Sequence, residues 1–298
     1  MLLLSAQAAL ALNTESGFGA RASAMGNAFT AAANDSYALY YNPAGLALIT
    51  SVSAGSTYAD YYSGLTDGTS IYETDICLAV PDVKSGFGFY WQETGLGSYY
   101  SEDTLAAGYA MRPLSNLAVG ACLKIRSVSY AAVDATAFNS VFNSLKGASA
   151  FSFDAGLIFN AAPGLNLGLA ALDILQPDLG IADKSIIPLT LRGGVSWYPF
   201  KGGERRNLLL AADIVSSGGS LSYAAGVEAW VLPGIICVRG GYTLGDGNLN
   251  QASGGAGIKL SGLLPGITLM LDYAFDLPLG YSDLGLNHRI SLGAVFEK

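Results

Sequence analysis

Residues 17–48 read GFGARASAMGNAFTAAANDSYALYYNPAGLAL and differ from the rest of the chain. They are rich in glycine and alanine, so the backbone can approach another surface closely, and polar and apolar residues do not alternate. Asp35 is placed to cap a helical turn through Tyr40, which Asn42-Pro43-Ala44-Gly45 ends, because the residue before a proline is pushed out of the helical region. The stretch predicts a short helix and a fixed elbow, or simply a loop-rich lead-in to a β domain.

The composition of the whole chain is unusual for a water-soluble protein. Of its 298 residues, 51% are hydrophobic and only 13% are charged, whereas about a quarter are charged in a typical soluble domain. No apolar run approaches the roughly 18 residues of a membrane-spanning helix. The 38 glycines and 17 tyrosines favour many short strands and turns. Two classes remain, a membrane β-barrel and a large secreted β domain.

Charge and cysteine content narrow the choice further. The formal net charge is −8, and lysine and arginine form no cluster, which excludes nucleic acid as a partner because phosphates require clustered cations. Cys77, Cys122 and Cys237 are far apart and odd in number. At most one disulfide can therefore form, and at least one thiol stays free.

Prolines mark predicted turns along the chain after residue 50. Six of the ten lie in short turn-like stretches, and the intervals between them fit two strands of about 10 residues plus one variable connection, as in a transmembrane barrel. The six turns are expected on one side of the membrane, and both ends of the barrel chain on that same side. This arrangement gives seven hairpins and hence predicts 14 strands. The six are Pro81, Pro113, Pro163, Pro199, Pro233 and Pro265.

The predicted fold is therefore all-β, a 14-stranded antiparallel transmembrane β-barrel. The longer connections, 131–149 and 276–286, are expected to face the outside of the cell. We place the strands at 51–63, 69–81, 85–95, 103–112, 116–130, 150–161, 164–174, 188–198, 207–216, 220–231, 235–244, 251–262, 266–275 and 287–297.

Alternation within these strands predicts which face meets lipid and which faces the lumen. In the fifth strand Leu123 and Ile125 point one way, and Cys122, Lys124 and Arg126 point the other. A soluble sandwich would also alternate, but it would bury the apolar rows and charge its outer face densely. The charged residues assigned to the lumen are Glu73, Asp75, Arg112, Lys124, Arg126, Asp154, Arg192, Asp213, Glu228, Arg239, Lys259, Asp272 and Arg289.

These lumenal charges carry both signs, and two interpretations are open. Intramembrane charges need partners, so they are expected to pair with one another and with the backbone of the N-terminal stretch. The alternative is that they line a polar permeation path.

The run ARASAMGNAFTAAANDSYALYYNPAGLA, residues 20–47, resembles the N-terminal signature of the FadL-like outer-membrane β-barrel superfamily, most closely its PorV/PorQ-type branch. In those families a small-residue segment forms a hatch inside the barrel and ends in Asn-Pro-Ala-Gly, carried here by Asn42, Pro43, Ala44 and Gly45. The resemblance implies a hatch at 12–50 inside the lumen of a barrel at 51–298, in the bacterial outer membrane. A bore this wide also needs a filler, because its lumenal face is rich in small residues.

Both ends of the sequence carry features of exported barrels. Residues 1–11, MLLLSAQAALA, have the apolar core and small-residue cleavage site of a secretory signal but no basic start. The last predicted strand alternates and ends on Phe296, which resembles the signal that the barrel-assembly machinery recognises.

The lack of catalytic motifs in the sequence predicts a protein that is not an enzyme, and three roles are open to it. The leading expectation is a PorV/PorQ-type role in protein export or surface attachment, as in type IX secretion. The alternative is a FadL-type uptake channel for long-chain fatty acids or other hydrophobic molecules, although short outer loops leave little room for an apolar vestibule. A soluble secreted β binding module is a second alternative. Expected partners are outer-membrane lipid and lipopolysaccharide, and secretion-system components or a hydrophobic ligand.

Motifs for catalysis, metal binding or cofactor binding are lacking in the sequence. His288 is the only histidine, and no G-x-S-x-G nucleophile accompanies it. Neither it nor the scattered cysteines offer the spacing of metal ligands. The run Gly254-Gly255-Ala256-Gly257 lacks P-loop spacing and is interpreted as easing the curvature of a strand.

Overall fold

The computed structural model describes residues 17–66, 68–131, 147–181, 183–200, 207–246 and 250–297. The predicted signal segment 1–11 and the start of the predicted hatch lie outside the described residues, as does most of the connection 131–149. Within the described residues, no helix is both long and apolar enough to cross a membrane.

Fourteen antiparallel strands pair in sequence order, and β1 pairs with β14 to close a barrel. This confirms the predicted fold, and each predicted strand has its counterpart. The strands are β1 Val52–Tyr61, β2 Ile71–Pro81, β3 Ser85–Leu96, β4 Tyr100–Leu114, β5 Leu117–Tyr130, β6 Gly147–Ala162, β7 Leu165–Leu172, β8 Thr190–Trp197, β9 Leu208–Ser217, β10 Ser220–Leu232, β11 Ile236–Gly245, β12 Gln251–Leu264, β13 Ile267–Pro278 and β14 Asn287–Phe296.

The strand ends differ from the predicted ones by a few residues. Strand β4 begins at Tyr100 and β13 continues to Pro278, because pairing with the neighbouring strand extends the ladder into residues that look like loop. Strand β7 is shorter than predicted and ends at Leu172, since Asp173 adopts a left-handed conformation with φ 53° that turns the chain out of the ladder.

The two faces of the wall follow the predicted alternation. On β5, Leu123 is 54% exposed on the lipid side, whereas Cys122 and Lys124 are buried on the lumenal side. All three cysteines are buried free thiols, as their lumenal assignment predicts. The alternation of residues along each strand therefore gives the barrel an apolar outer band and an inner face that carries both charges.

Residues 17–50, which we call the hatch, contain three short helical elements. They are α1 at Ala20–Ser23, α2 at Ala38–Tyr41, and a 3-10 helix at Pro43–Leu48. The expected cap is wrong in detail: Asp35 accepts the backbone N–H of Tyr37 at 3.0 Å in a turn before α2 and does not cap the helix.

Asn42 forms the predicted elbow. It is extended, so α2 ends there, and its Oδ1 accepts the N–H of Ala44 to start the 3-10 helix. The proline at the first helical position needs no N–H partner. The elbow therefore redirects the chain from α2 toward β1.

The hatch lies inside the barrel. Phe18, Met25, Phe29 and Tyr41 have no exposed surface, and hatch atoms lie against inner-wall residues on strands around the whole circumference. The hatch is thus the apolar filling of the bore.

One outer connection folds back over the barrel mouth. Between β7 and β8, Asp178 and Ile186 form an isolated bridge. Leu179 and Ile187 are buried there against Val128 of β5. The β7–β8 connection therefore packs onto the wall through a buried apolar cluster at the mouth, next to Tyr100 and Tyr130.

Candidate functional site

Glycines of the inner wall make room for the hatch. They occur as cross-strand pairs, and a Cβ added at any of them would overlap the hatch or Asp213, which holds it. We call them the glycine belt: Gly88 and Gly108, Gly120 and Gly156, Gly168 and Gly194, and Gly226 and Gly241. Their lack of a side chain lets the wall approach the hatch to van der Waals distance.

Two glycines of the run 254–257 also make room for contacts inside the barrel, in addition to the predicted easing of strand curvature. A Cβ at Gly255 would lie 2.7 Å from the Cβ of Ala24 in the hatch. A Cβ at Gly257 would meet the side chains of Asp272 and Arg239. These glycines make space for contacts inside the barrel.

Asn42 joins the hatch to the wall through its amide. Its Nδ2 donates to the carbonyl of Thr30 at 2.9 Å and lies 3.1 Å and 3.3 Å from the carbonyls of Leu157 on β6 and Leu169 on β7. The side chain is fully buried. A residue with a single polar function could not make these contacts and also cap the 3-10 helix.

Asp213 on β9 is the strongest anchor of the hatch backbone. One oxygen, Oδ2, accepts the N–H groups of Phe29 and Thr30, each at 2.9 Å, and the Thr30 hydroxyl at 2.6 Å. Arg192 of β8 pairs with the same oxygen and donates to the carbonyl of Asn27. Several donors and an arginine thus converge on the one oxygen Oδ2, which ties the hatch backbone to the wall.

A chain of ion pairs holds the start of the hatch. Arg21 binds Glu228 of β10 through two hydrogen bonds, of 2.8 Å and 3.0 Å, and also pairs with Asp35. Glu228 pairs with Arg239 of β11, which reaches Asp272 of β13 at 2.6 Å. This series of alternating charges spans several strands and includes the hatch.

Two further clusters lie on the inner wall. Arg289 of β14 pairs with Glu73 and donates to the carbonyl of Gly17 at 2.8 Å. Lys124 of β5 pairs with Asp154 and with Asp173, at 2.8 Å and 3.0 Å. The second cluster ties the wall to the first residue of the β7–β8 connection.

Four further charged residues that the sequence analysis assigned to the lumen remain to be placed. Arg126 pairs with Asp173 at 2.8 Å. Arg112 and Lys259 are half-buried near the proline-turn end of the barrel, where Arg112 donates to the carbonyl of Val83 and neither residue joins the ion pairs described above. Asp75 is 0% exposed.

Sequence reasoning missed Asp173, Asp276 and Arg21. Asp173 follows β7 at a position that alternation would point to lipid, but its left-handed backbone turns it inward. Asp276 accepts a hydrogen bond from the hydroxyl of Ser23 at 2.7 Å. Alternation could have identified it, because Asp276 lies four residues after Asp272 and therefore on the same face of the strand. Within the described residues, no cluster of histidine, cysteine and carboxylate groups could hold a metal ion.

Solved structures share this architecture over their whole length. No family model and no curated protein matches the chain. A structure described as the CymD monoaromatic hydrocarbon channel aligns with a TM-score of 0.66 and 14% identity, over 96% of this chain and 98% of that one. The Ralstonia pickettii toluene transporter TbuX aligns with a TM-score of 0.63 and 14% identity, over 95% and 100%. The fold is that of the FadL-type barrels.

A Pseudomonas aeruginosa FadL homologue agrees, with a TM-score of 0.62 and 14% identity over 90% of this chain and 95% of that chain. At this level of identity the likeness establishes the FadL-type fold alone. It gives no specific support to the PorV/PorQ-type branch or its secretion role, and it fits the uptake-channel alternative better.

Proposed function

We propose that this protein is a channel of the bacterial outer membrane that takes up small hydrophobic molecules past its hatch. The observation that carries the proposal is that the FadL-type barrel, aligned end to end with hydrocarbon channels, has its bore filled by its own N-terminal segment. As the function of this protein we therefore favour uptake over protein export, and transport over catalysis.

The physics of the filled bore supports an apolar cargo. The hatch is buried inside the barrel, and inner-wall charges such as Arg192, Arg239 and Glu228 are paired, which disfavours unassisted diffusion of polar solutes. At the mouth, Leu179, Ile187 and Val128 form an apolar cluster. These three side chains are buried in the cluster and pack the β7–β8 connection onto the wall beside Tyr100 and Tyr130.

The proposal is tested by uptake of radiolabelled toluene in a Gram-negative host that lacks channels for hydrophobic compounds. Expression should raise the initial uptake rate above that of the empty host. The double variant Ala24→Cys/Gly255→Cys should lose this gain when oxidised, because the Cβ atoms are close enough for a disulfide after a small shift. Reduction should restore it.

The single variant Ala24→Cys is the matched control and should transport under both conditions. Uptake equal to that of the empty host, in cells whose barrel is folded by heat-modifiable gel migration, would refute the proposal.

A further inference from the structure

The connection between β7 and β8 leaves the wall in an uncommon backbone conformation. Asp173 has φ 53° and Gln176 has φ 47°, and they are two of the four residues other than glycine with a positive φ in the described ranges. Aspartate tolerates this region better than glutamine does, and Gln176 also precedes Pro177, which pushes it toward extended backbone. Such conformations persist only where their surroundings impose them.

The inner wall imposes the conformation of Asp173. Arg126 donates to both of its carboxylate oxygens, at 3.0 Å and 2.8 Å, and Nζ of Lys124 lies 3.0 Å from one of them. The backbone N–H of Asp173 donates to Asp154 at 2.8 Å. Because Leu172 faces the lumen, an extended Asp173 would point away from it. The ion pairs therefore require the left-handed conformation.

Beyond Asp173 the connection forms a small hairpin. We call residues 174–181 and 183–189 the lid. Within it, the N–H of Leu179 donates to the carbonyl of Ser185 at 3.0 Å, and the N–H of Ile187 donates to that of Pro177 at 2.9 Å. These backbone groups are satisfied inside the lid and do not need the wall. The lid can therefore move as a unit without losing its own hydrogen bonds.

The lid lies on the wall through apolar side chains. Leu179 and Ile187 are buried against Val128 of β5, beside Tyr100 and Tyr130. Apolar contacts of this kind are not directional, whereas the charge-assisted hydrogen bonds of Asp173 are short and directional. Asp173 is therefore the residue that fixes the direction in which the lid leaves β7.

We propose that the lid moves between two states at the mouth of the barrel. In the closed state Asp173 is left-handed and paired with Lys124 and Arg126. In the open state Asp173 is extended, its ion pairs are broken, and Val128 is uncovered. The lid goes beyond the proposed uptake function and does not depend on what the barrel transports.

The rate at which a water-soluble maleimide modifies Val128→Cys in the purified full chain tests the lid, since cysteine keeps a small apolar side chain under it. Peptide mass spectrometry reads position 128 alone, so the three buried native thiols do not contribute. Adding Asp173→Ala should raise the rate at least about tenfold, because it removes the ion pairs and disfavours a positive φ. Asp183→Asn, a change at an exposed carboxylate of the lid, is the matched control and should leave the rate unchanged.

Gln176 provides variants that leave the charges in place. Its side chain is exposed, so substitutions there act through the backbone. Gln176→Gly accepts a positive φ without a side-chain clash and should slow the labelling about twofold to fivefold. Gln176→Val, which is β-branched, should accelerate it. Opposite effects at one position distinguish a hinge from general loosening of the barrel.

Amide hydrogen exchange distinguishes a moving lid from an unfolded one. The N–H groups of Leu179 and Ile187 should stay protected in Asp173→Ala, because their acceptors move with them. Loss of both protections overturns the inference, as does equal labelling of all variants when each is folded by heat-modifiable migration.

The lid and the uptake function fail separately. The labelling uses no cargo, so an unchanged rate would refute the lid and leave the channel. A lid that opens in Asp173→Ala, in a protein that takes up no toluene in cells, would refute the channel and leave the lid.

Discussion

The inner wall holds the hatch differently on its two sides. On the β8–β13 side, Asp213 binds hatch backbone and Glu228 binds Arg21. On β3 and β4, the hatch contacts described here involve rings and aliphatic side chains, such as Leu46 against Gly88. Gln92 keeps an unpaired amide nitrogen on that side.

This difference separates strict anchoring from looser contact. Charge-assisted hydrogen bonds are short and directional, so the β8–β13 side fixes the position of the hatch. Contacts between apolar groups are less directional, so β3 and β4 fix the position of the hatch less strictly. Three predictions test how the wall holds the hatch, and a fourth tests whether the hatch plugs the bore.

The largest effect is expected from Asp213→Ala. The change leaves Arg192 and three hatch donors without their shared acceptor, a loss of about 3–5 kcal/mol for a buried ion pair. Amide hydrogen exchange at Phe29 and Thr30 should accelerate by about 100- to 4,000-fold. Asp246→Ala removes an exposed carboxylate that also accepts a backbone N–H and should leave that exchange unchanged; equal effects would mean that Asp213 is not an anchor.

The glycine belt should show a smaller loss. A Cβ at Gly241 would overlap the backbone of Met25 and Gly26, whereas one at the adjacent Gly240 meets only Val227, at 3.8 Å. Gly241→Ala should therefore lower the free energy of unfolding in urea by about 1–3 kcal/mol, and Gly240→Ala should not. Equal losses would show that the belt does not hold the hatch.

The smallest expected effect is a difference in stability loss between variants of two buried amide side chains, Asn42 and Gln92. Asn42→Leu removes a group bonded to both hatch and wall and should cost about 1–3 kcal/mol. Gln92→Leu removes an unpaired nitrogen and should be close to neutral. Urea midpoints of the two variants measure the contrast, and a larger loss for Gln92→Leu would contradict the assignment of the two sides.

The sequence was sufficient for the barrel because turn prolines and period-2 alternation are local signals. Alternation also assigned Lys124, Asp154, Asp213, Glu228 and Arg239 to one face. It could not assign their partners, since these depend on strand register and on the path of the hatch.

Other parts of the site needed the three-dimensional structure. The inward turn at Asp173 depends on a left-handed backbone that no residue type there demands. The glycine belt can be recognised only when the strand register is known, for example from the pairing of Gly168 on β7 with Gly194 on β8. The juxtaposition of Asp75 and Gln92 on neighbouring strands is likewise a consequence of register.

The conductance of single proteins in planar bilayers tests most directly the claim that the hatch plugs the bore. Deletion of residues 17–44 should turn a closed barrel into an open pore. The pore should favour cations, because eight buried carboxylates face five buried cations among the described wall and connection residues. If the intact and deleted proteins, both folded by heat-modifiable migration, conduct alike, the hatch does not close this barrel.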